Sequence, residues 1–392
     1  MKHAAVIGGG IGGLSAAIGL RKAGWQVTVL ERAIEPKPIG AGISLWPNAL
    51  RALDELGVAA ELAKLNVGQT VGGVRDSRGR WLSRWDATRF ERLLGRPMLA
   101  VHRAELLEVL LAALPPETLR FGVEVQEVTE DGLVRWPGGE LRADLVVGAD
   151  GIQSGIRAAL WPAHPAPVYS GSTAFRAVIE APADQQLAGA LGAGTEFGTV
   201  PLSGGRRYWF VSHRAPENTL HDDPKAFLRR LFGSWYEELR EVIESTPAEV
   251  ILQHDLYFLG TPLPSYVRGR VALLGDAAHA MPPFLGQGGC QAIEDAVVLA
   301  ALAAQSENST GTAHLLAEYD RQRRPRSQHV ARSSVRTGRL GPQLRNPLAV
   351  GLRNTLLRAM PASLNIRAGA AAATWTPPRI AVGDQPPTNP AS

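Results

Sequence analysis

The first thirty residues confine the start of this chain to a strand, a tight turn and a helix. Val6-Ile7-Gly8-Gly9-Gly10-Ile11-Gly12-Gly13 follows a short apolar run that begins at His3, and the segment closes on Glu31. Gly8, Gly10 and Gly13 form G-x-G-x-x-G at the start of a helix with Leu14, Ala17, Ile18 and Leu20 on one face and Gly24 at its end. Glycine there permits the turn, close approach of a pyrophosphate, and close helix–strand packing. The helix start adds unpaired amides and a favourable dipole. Glu31, 18 residues after Gly13, can accept hydrogen bonds from ribose hydroxyls. The pattern predicts a dinucleotide site and does not separate NAD from FAD.

A second segment narrows the choice. Leu274-Gly275-Asp276-Ala277-Ala278-His279 follows a strand, and Pro283-Phe284-Leu285-Gly286-Gln287-Gly288-Gly289 opens an apolar helix. An aspartate can hold a polyol hydroxyl, and bare helix-start amides face a polarised carbonyl or an anion. NAD has no ribityl chain and no isoalloxazine, so this segment is surplus for an NAD dehydrogenase.

The 392 residues, 45% hydrophobic and 20% charged, supply material for two lobes. A hairpin is predicted across 71–86 and strands across 121–128, 171–180, 196–202, 207–213 and 249–258, with a helical insertion near 224–244. Helices are predicted at 47–56, before Gly57, at 104–114 and at 291–304, with helical material continuing to about 365. The alanine- and then proline-rich tail from 368 is predicted to be poorly ordered. The lone Cys290 excludes an internal disulfide and a cysteine-based metal site, and reads as a small buried residue. The net charge of +4 is small, and the run Arg321–Arg326 reads as a solvated or FAD-domain surface rather than a nucleic-acid arm. Neither a signal peptide nor an apolar stretch of about 18 residues is present, which predicts a cytoplasmic protein with no membrane partner.

Three ordered motifs together resemble the single-component FAD-dependent aromatic hydroxylases, the para-hydroxybenzoate hydroxylase superfamily, over roughly residues 3–330. They are Gly8-x-Gly10-x-x-Gly13; Gly148-Ala149-Asp150-Gly151 with Arg157; and Gly275-Asp276-Ala-Ala-His279 with Pro283-x-x-Gly286-Gln287-Gly288. The resemblance implies an α/β fold. A discontinuous Rossmann-like FAD-binding domain (1–70, 99–165 and 268–330) would hold an inserted, mostly antiparallel β-sheet substrate domain (71–98 and 166–267). C-terminal helices (331–367) and the 368–392 tail would follow. It also implies non-covalent FAD, NAD(P)H as a transient electron donor and O₂ as co-substrate. A flavin C4a-hydroperoxide would then hydroxylate an aromatic or heteroaromatic small molecule, in a monomer or homodimer.

Carried over by position, the resemblance gives Gly12, Ile11, Glu31 and Arg32 to the ADP end, Arg103 to the phosphates and Val125 to a backbone contact with adenine. Ser44 would lie near the flavin, Asp276 would bind the ribityl chain and Pro283 would border the isoalloxazine. Gly286, Gln287, Gly288, Gly289 and Cys290 would present amides to its carbonyl edge. Tyr208 and Pro283 are the catalytic candidates, and Glu196, Tyr208, Phe210 and Phe284 the substrate-lining ones. On a strand Tyr208, Phe210 and Ser212 share one face and Trp209, Val211 and His213 the other, which reads His213 as a surface or dimer-facing residue.

The subgroup containing urate hydroxylases is nearest, through Ile43-Ser44-Leu45-Trp46-Pro47-Asn48. Two departures argue against urate: Glu196 stands where that subgroup places an arginine, and Phe284 where it places an aspartate. A glutamate would repel the urate anion, and a phenyl ring removes a hydrogen-bond acceptor. His279 reads as a structural residue. Epoxidation or another FAD reaction on the same fold is the alternative, and a non-catalytic flavin-binding protein a further one. The Trp-x-Trp-x-Ile-Pro segment of flavin halogenases is absent.

Overall fold

Strands Val267–Arg268, Val271–Leu273, Leu145–Gly148, His3–Ile7, Gln26–Glu31 and Leu119–Phe121 lie side by side in that order in a six-stranded sheet. All neighbours are parallel except the antiparallel pair at the Val267–Arg268 edge. Leu145–Gly148 is buried throughout, and the His3–Ile7 strand nearly so, as parallel strands covered on both faces must be. The computed structural model describes residues 1–35, 41–65, 68, 71–181, 186–305 and 309–381; Gly40 and the proline-rich end of the tail, 382–392, lie outside the described residues.

The Ile11–Lys22 helix packs against the Gly288–Ala303 helix, and small residues set their approach. A Cβ at Gly19 would come within 2.7 Å of the Ala300 methyl, and one at Gly12 within 3.2 Å of the Ala292 methyl. The two helices that carry the glycine motifs are thereby held side by side, and both helix starts point toward one region of the molecule.

A seven-stranded sheet runs Leu252–Phe258, Val168–Glu180, Arg206–His213, Thr195–Leu202, Gln186–Leu191, Val71–Asp76, Trp81–Asp86. It is antiparallel except where Gln186–Leu191 joins Val71–Asp76 in parallel. Helices Pro224–Phe232 and Glu237–Ser245 cover one face, packing on Phe175, Phe197, Trp209 and Val211. The Trp209 indole N–H donates to Thr246 Oγ1 at 2.9 Å, which satisfies the only polar atom of a fully buried side chain.

Several elements differ from expectation. The 121–128 strand is two short pieces, Leu119–Phe121 and Glu127–Val128, because Gly122 takes a positive φ and the Val123 amide turns back to the Glu31 carbonyl. The strand predicted from 249 starts at Leu252, after a 3₁₀ turn at Ala248–Val250. Gln186–Leu191 and the ribbon formed by Gly42–Leu45 with Leu99–His102 were not anticipated. The described part of the tail, up to residue 381, is packed on the protein: Ala370, Ala373 and Ile380 are buried, and the Trp375 ring is flanked by the guanidinium groups of Arg323 and Arg326. One tryptophan gives this alanine-rich stretch an anchor that composition alone did not suggest.

Candidate active site

At the N-terminal motif the glycines have different causes. Gly8 has φ +108°, and a side chain there would strike the Ala149 carbonyl. A Cβ at Gly13 would overlap the Gly8 carbonyl oxygen. Gly10 differs: its φ of −78° and ψ of −177° suit any residue, and a Cβ built on it meets nothing within 4 Å. Nothing in the protein requires glycine at position 10, and a helix start left this open is suited to an anion. Ile11, which is buried, and Gly12, which is half-buried, begin that helix. Glu31 accepts from the Gly9 amide at 2.5 Å and the Ala33 amide at 2.8 Å, so it braces the turn as well as ending the strand. Arg32 is exposed beside it, and Val125 is half-buried against the core of the first sheet.

The second motif behaves alike. Gly275 caps the short Asp276–His279 helix, and the Asp276 side chain is exposed although protein surrounds it closely, as at the floor of a cleft. Burial raises its pKa, and the charges of His279 and Arg103 partly oppose the rise. A Cβ on Gly288 would have Asp276 Oδ1, at 3.9 Å, as its nearest neighbour, so this helix start is also open. The start of the Gly288–Ala303 helix lies beside the aspartate, and Gln287, its N-cap residue, offers no side-chain cap. Pro283 and Gly286 are exposed on the same loop. Gln287 is buried, receiving Asn48 Nδ2 on its Oε1 at 3.0 Å. Ile43 lies against Gly289, and Cys290 approaches the Ser44 carbonyl at 3.7 Å. Burial pushes the Cys290 thiol up to about 12, so it stays protonated and inert. Arg103 is exposed, its amide bonded to Ala41, and its charge reaches both Asp276 and Arg176.

The seven-stranded sheet turns its other face toward this cleft. Tyr208 lies flat on Gly42, where a Cβ would come within 2.6 Å of its ring, and the Tyr208 and Phe210 rings are 5.9 Å apart. Strand register puts Arg176 directly opposite Phe210, and Glu196 and Ala174 opposite Ser212. His254 extends the same row from Ala174. Arg176, which the sequence reading passed over, is half-buried, and its Nε has no hydrogen-bond partner. Its signal was a charged residue at an inward position of an otherwise apolar strand, Ala174–Ile179. His254 is pushed down to about 4 by burial and by Arg176, with Asp255 opposing.

Burial lifts the Glu196 carboxyl to about 8. A folded value above the unfolded one means that its contribution to stability is complete below the unfolded range, near pH 4.5, and is lost as pH rises through about 8. Glu196→Gln should therefore gain on the natural protein between pH 5.5 and pH 9 in melting temperature of the FAD-free form. A gap that stays flat with pH would show that Glu196 ionises as it does in solution.

Three expectations need correction or refinement. His213 is not a free surface residue: it is half-buried, bonds Thr195 Oγ1 through Nδ1 at 2.7 Å and meets the Phe227 ring edge-on. Burial, Arg345 and His221 push it down to about 4. The Phe284 ring packs on Gly338 of the Ser309–Leu340 helix, wedging the proline loop against that helix. Finally, Arg323 of the Arg321–Arg326 run is fully buried. It donates to Asp295 Oδ1 and Glu294 Oε2, both at 2.7 Å, while Arg326 grips Glu294 from the other side. Asp295 Oδ2 in turn accepts from the Gly275 amide at 2.9 Å and bonds His279 Nε2 at 2.5 Å. His279 thus supports the motif from behind rather than facing the cleft. Burial would raise the Asp295 carboxyl, but His279, Arg323 and the Gly275 amide hold it below the usual carboxylate range.

Two open helix starts, an acid at the end of the second strand and an aspartate on the cleft floor are the groups that a dinucleotide carrying a polyol chain calls for. These features define a flavin-dependent oxidoreductase. The chain belongs to the FAD binding domain family, which matches residues 1–334. It is 38% identical to the aurachin C monooxygenase/isomerase of Stigmatella aurantiaca, over 91% of this chain and 93% of that one. It is 35% identical to an FAD-dependent urate hydroxylase of Klebsiella pneumoniae, over 82% and 85%. The crystal structure of Klebsiella pneumoniae HpxO complexed with FAD and uric acid superposes with a TM-score of 0.88 at 29% identity, covering 95% and 96%. The protein is an FAD-dependent monooxygenase drawing on NAD(P)H and O₂. Among the described residues no helix is long and apolar enough to cross a membrane, and no group of side chains could hold a metal ion.

Proposed function

We propose that this enzyme hydroxylates an aromatic or heteroaromatic small molecule bearing an acidic oxygen, held between the flavin end of the cleft and the Tyr208 face of the large sheet. Bound FAD supplies the electron relay from NAD(P)H and the activation of O₂. The reaction consumes substrate, O₂, NAD(P)H and a proton, and yields hydroxylated product, water and NAD(P)⁺. The chain's part is to bind, orient and exclude water. Gly10 and its helix start would take the pyrophosphate, with Glu31 on the ribose. Asp276 would hold the ribityl hydroxyls, Pro283 would border the ring system, and the Gly288–Cys290 amides would meet its carbonyl edge.

The observation that carries the substrate class is Arg176. A guanidinium keeps its charge in a protein, and this one is half-buried with an unpaired Nε on the face shared by Tyr208 and Phe210. Glu196 and His254 on that face are both displaced toward their neutral forms. With Arg206 on that face paired to Glu105, the face presents one cation free of a carboxylate, two aromatic rings and neutral polar groups, which suits a flat anion such as a phenolate, an enolate or an aromatic carboxylate. By the resemblance, Glu196 occupies the position where the urate hydroxylases carry an arginine, so the positive charge sits two strands over, which favours a substrate other than urate.

NAD(P)H oxidation in air, measured across a panel of ionisable and neutral aromatics, tests this. The panel's anions should stimulate consumption and give products heavier by one oxygen. Arg176→Gln should raise KM about tenfold to a hundredfold, as loss of a charge-assisted hydrogen bond does, with the flavin spectrum and basal oxidation unchanged. Equal turnover of neutral and anionic members of a pair by the natural enzyme would defeat the proposal. A second reading, oxygen transfer coupled to isomerisation, is favoured by the 38% identity to a monooxygenase/isomerase. Both give the same mass, so NMR of the product separates them.

A further inference from the structure

From the middle of the Ser309–Leu340 helix onward the chain changes electrically. Residues 321–383 contain twelve arginines and no aspartate or glutamate, although the whole chain is only +4, so the remainder is net acidic. Several of these arginines are used internally: Arg323 and Arg326 in the buried network, Arg321 with Glu318, Arg324 with Asp320, Arg358 with Asp76. Arg332, Arg336, Arg339, Arg345 and Arg367 are exposed, and none has a carboxylate partner among the described residues. Arg332, Arg336 and Arg339 line one cleft; Arg339 and Arg345 line the next, of about 480 Å³, together with Arg214. Neither cleft has an acidic residue in its wall.

The same region exposes leucine. Leu340 ends the long helix at 70% exposure, Leu348 follows across the turn at 85%, and Leu352, Leu356, Met360 and Leu364 continue the series. Leu348, Leu352 and Leu356 recur every fourth residue on the outward side of the Pro347–Ala359 helix, whose inward side is fixed by Arg353 on the Gly192 and Gly341 carbonyls. Arg339 adjoins Leu340, and Arg345 stands between Leu340 and Leu348, so charge and apolar surface meet at one corner.

We propose that this corner docks the enzyme on an anionic lipid surface, with the leucine row entering the headgroup boundary and the arginines meeting acidic headgroups. This is a surface association, since no helix among the described residues is long and apolar enough to cross a membrane, and it departs from the expectation of no membrane partner. A second copy of the chain would cover the leucines but bring arginine against arginine across a two-fold contact. A soluble anion would use the arginines and leave the leucines in water. An acidic bilayer uses both.

The FAD-loaded enzyme should co-float with vesicles containing acidic phospholipid and fail to do so with neutral phosphatidylcholine vesicles, and raised salt should release it. Leu348→Ser/Leu352→Ser/Leu356→Ser should abolish flotation. Arg336→Gln/Arg339→Gln/Arg345→Gln should weaken it on the order of a hundredfold, given about fivefold for each cation near such a surface. Both variants should keep their flavin spectrum and NAD(P)H oxidation, which separates lost docking from lost folding. Equal flotation with neutral and acidic vesicles, or none with either, would overturn the proposal. So would a dimer in sedimentation that the leucine variant dissociates, or capture by an acidic protein with no vesicle binding.

Discussion

Gly10→Val should give a colourless protein that melts where FAD-free natural protein melts. Position 10 has an ordinary backbone conformation and open space around its Cβ, so the folded chain tolerates a side chain there. An isopropyl group at the start of the Ile11–Lys22 helix would nonetheless occupy the path of the pyrophosphate and screen the amides that bind it. A loss of about 4 kcal/mol of binding, or a thousandfold in Kd, is the expected order. Gly13→Ala is the contrasting case. Its Cβ would overlap the Gly8 carbonyl, and Gly8 cannot retreat because its own positive φ and the Ala149 carbonyl fix it. This variant should lose about 1–3 kcal/mol of stability even without FAD, as overpacking typically does. Flavin fluorescence titration and thermal melts of both apo-proteins decide it. Undiminished FAD binding by Gly10→Val would show that the first motif does not approach the cofactor.

That contrast also explains what the sequence made legible. G-x-G-x-x-G reads as one motif, yet two of its glycines answer to neighbouring backbone and only the middle one has no steric cause within the protein. The two glycine motifs were readable as local structure because each joins a strand end to a helix start within a few residues, where local chemistry dictates local structure. The Tyr208 face of the large sheet was only partly readable. Alternation along 207–213 separates Tyr208 from Trp209, but Arg176 joins Tyr208 through the register of two antiparallel strands, which one strand's pattern cannot reveal. The Arg321–Arg326 run was misread for a related reason. Charge in a sequence window says surface, and only the fold shows that Glu294 and Asp295, nearly thirty residues earlier on an otherwise apolar helix, are waiting for it.

Arg323→Met should be the most damaging substitution outside the cofactor motifs, lowering stability by about 3–5 kcal/mol. Arg323 is a buried fork between two buried carboxylates, and it also donates to Gln291 Oε1 at 3.0 Å. Methionine fills the volume but leaves Glu294 with Arg326 as its one cation, beside the Asn48 and Gln291 amides, and Asp295 without its guanidinium. Arg323→Lys should recover only part of the loss, because one ammonium cannot replace both arms of the fork. The pH dependence gives a second readout. A carboxyl held below its unfolded value, as Asp295 is, adds stability above the unfolded range and loses it as pH falls through the folded value. Removing Arg323 takes away part of that depression, so the gap between natural and variant protein should be widest near neutrality and narrow below about pH 4. Because Asp295 also holds the Gly275 amide and His279, the same variant should bind FAD more weakly at the Asp276 end. Urea melts at pH 7 and pH 4, with and without FAD, separate these effects. A loss under 1 kcal/mol at pH 7 would mean that water or a rearranged Arg326 neutralises the pair, and that the network does not brace the flavin motif.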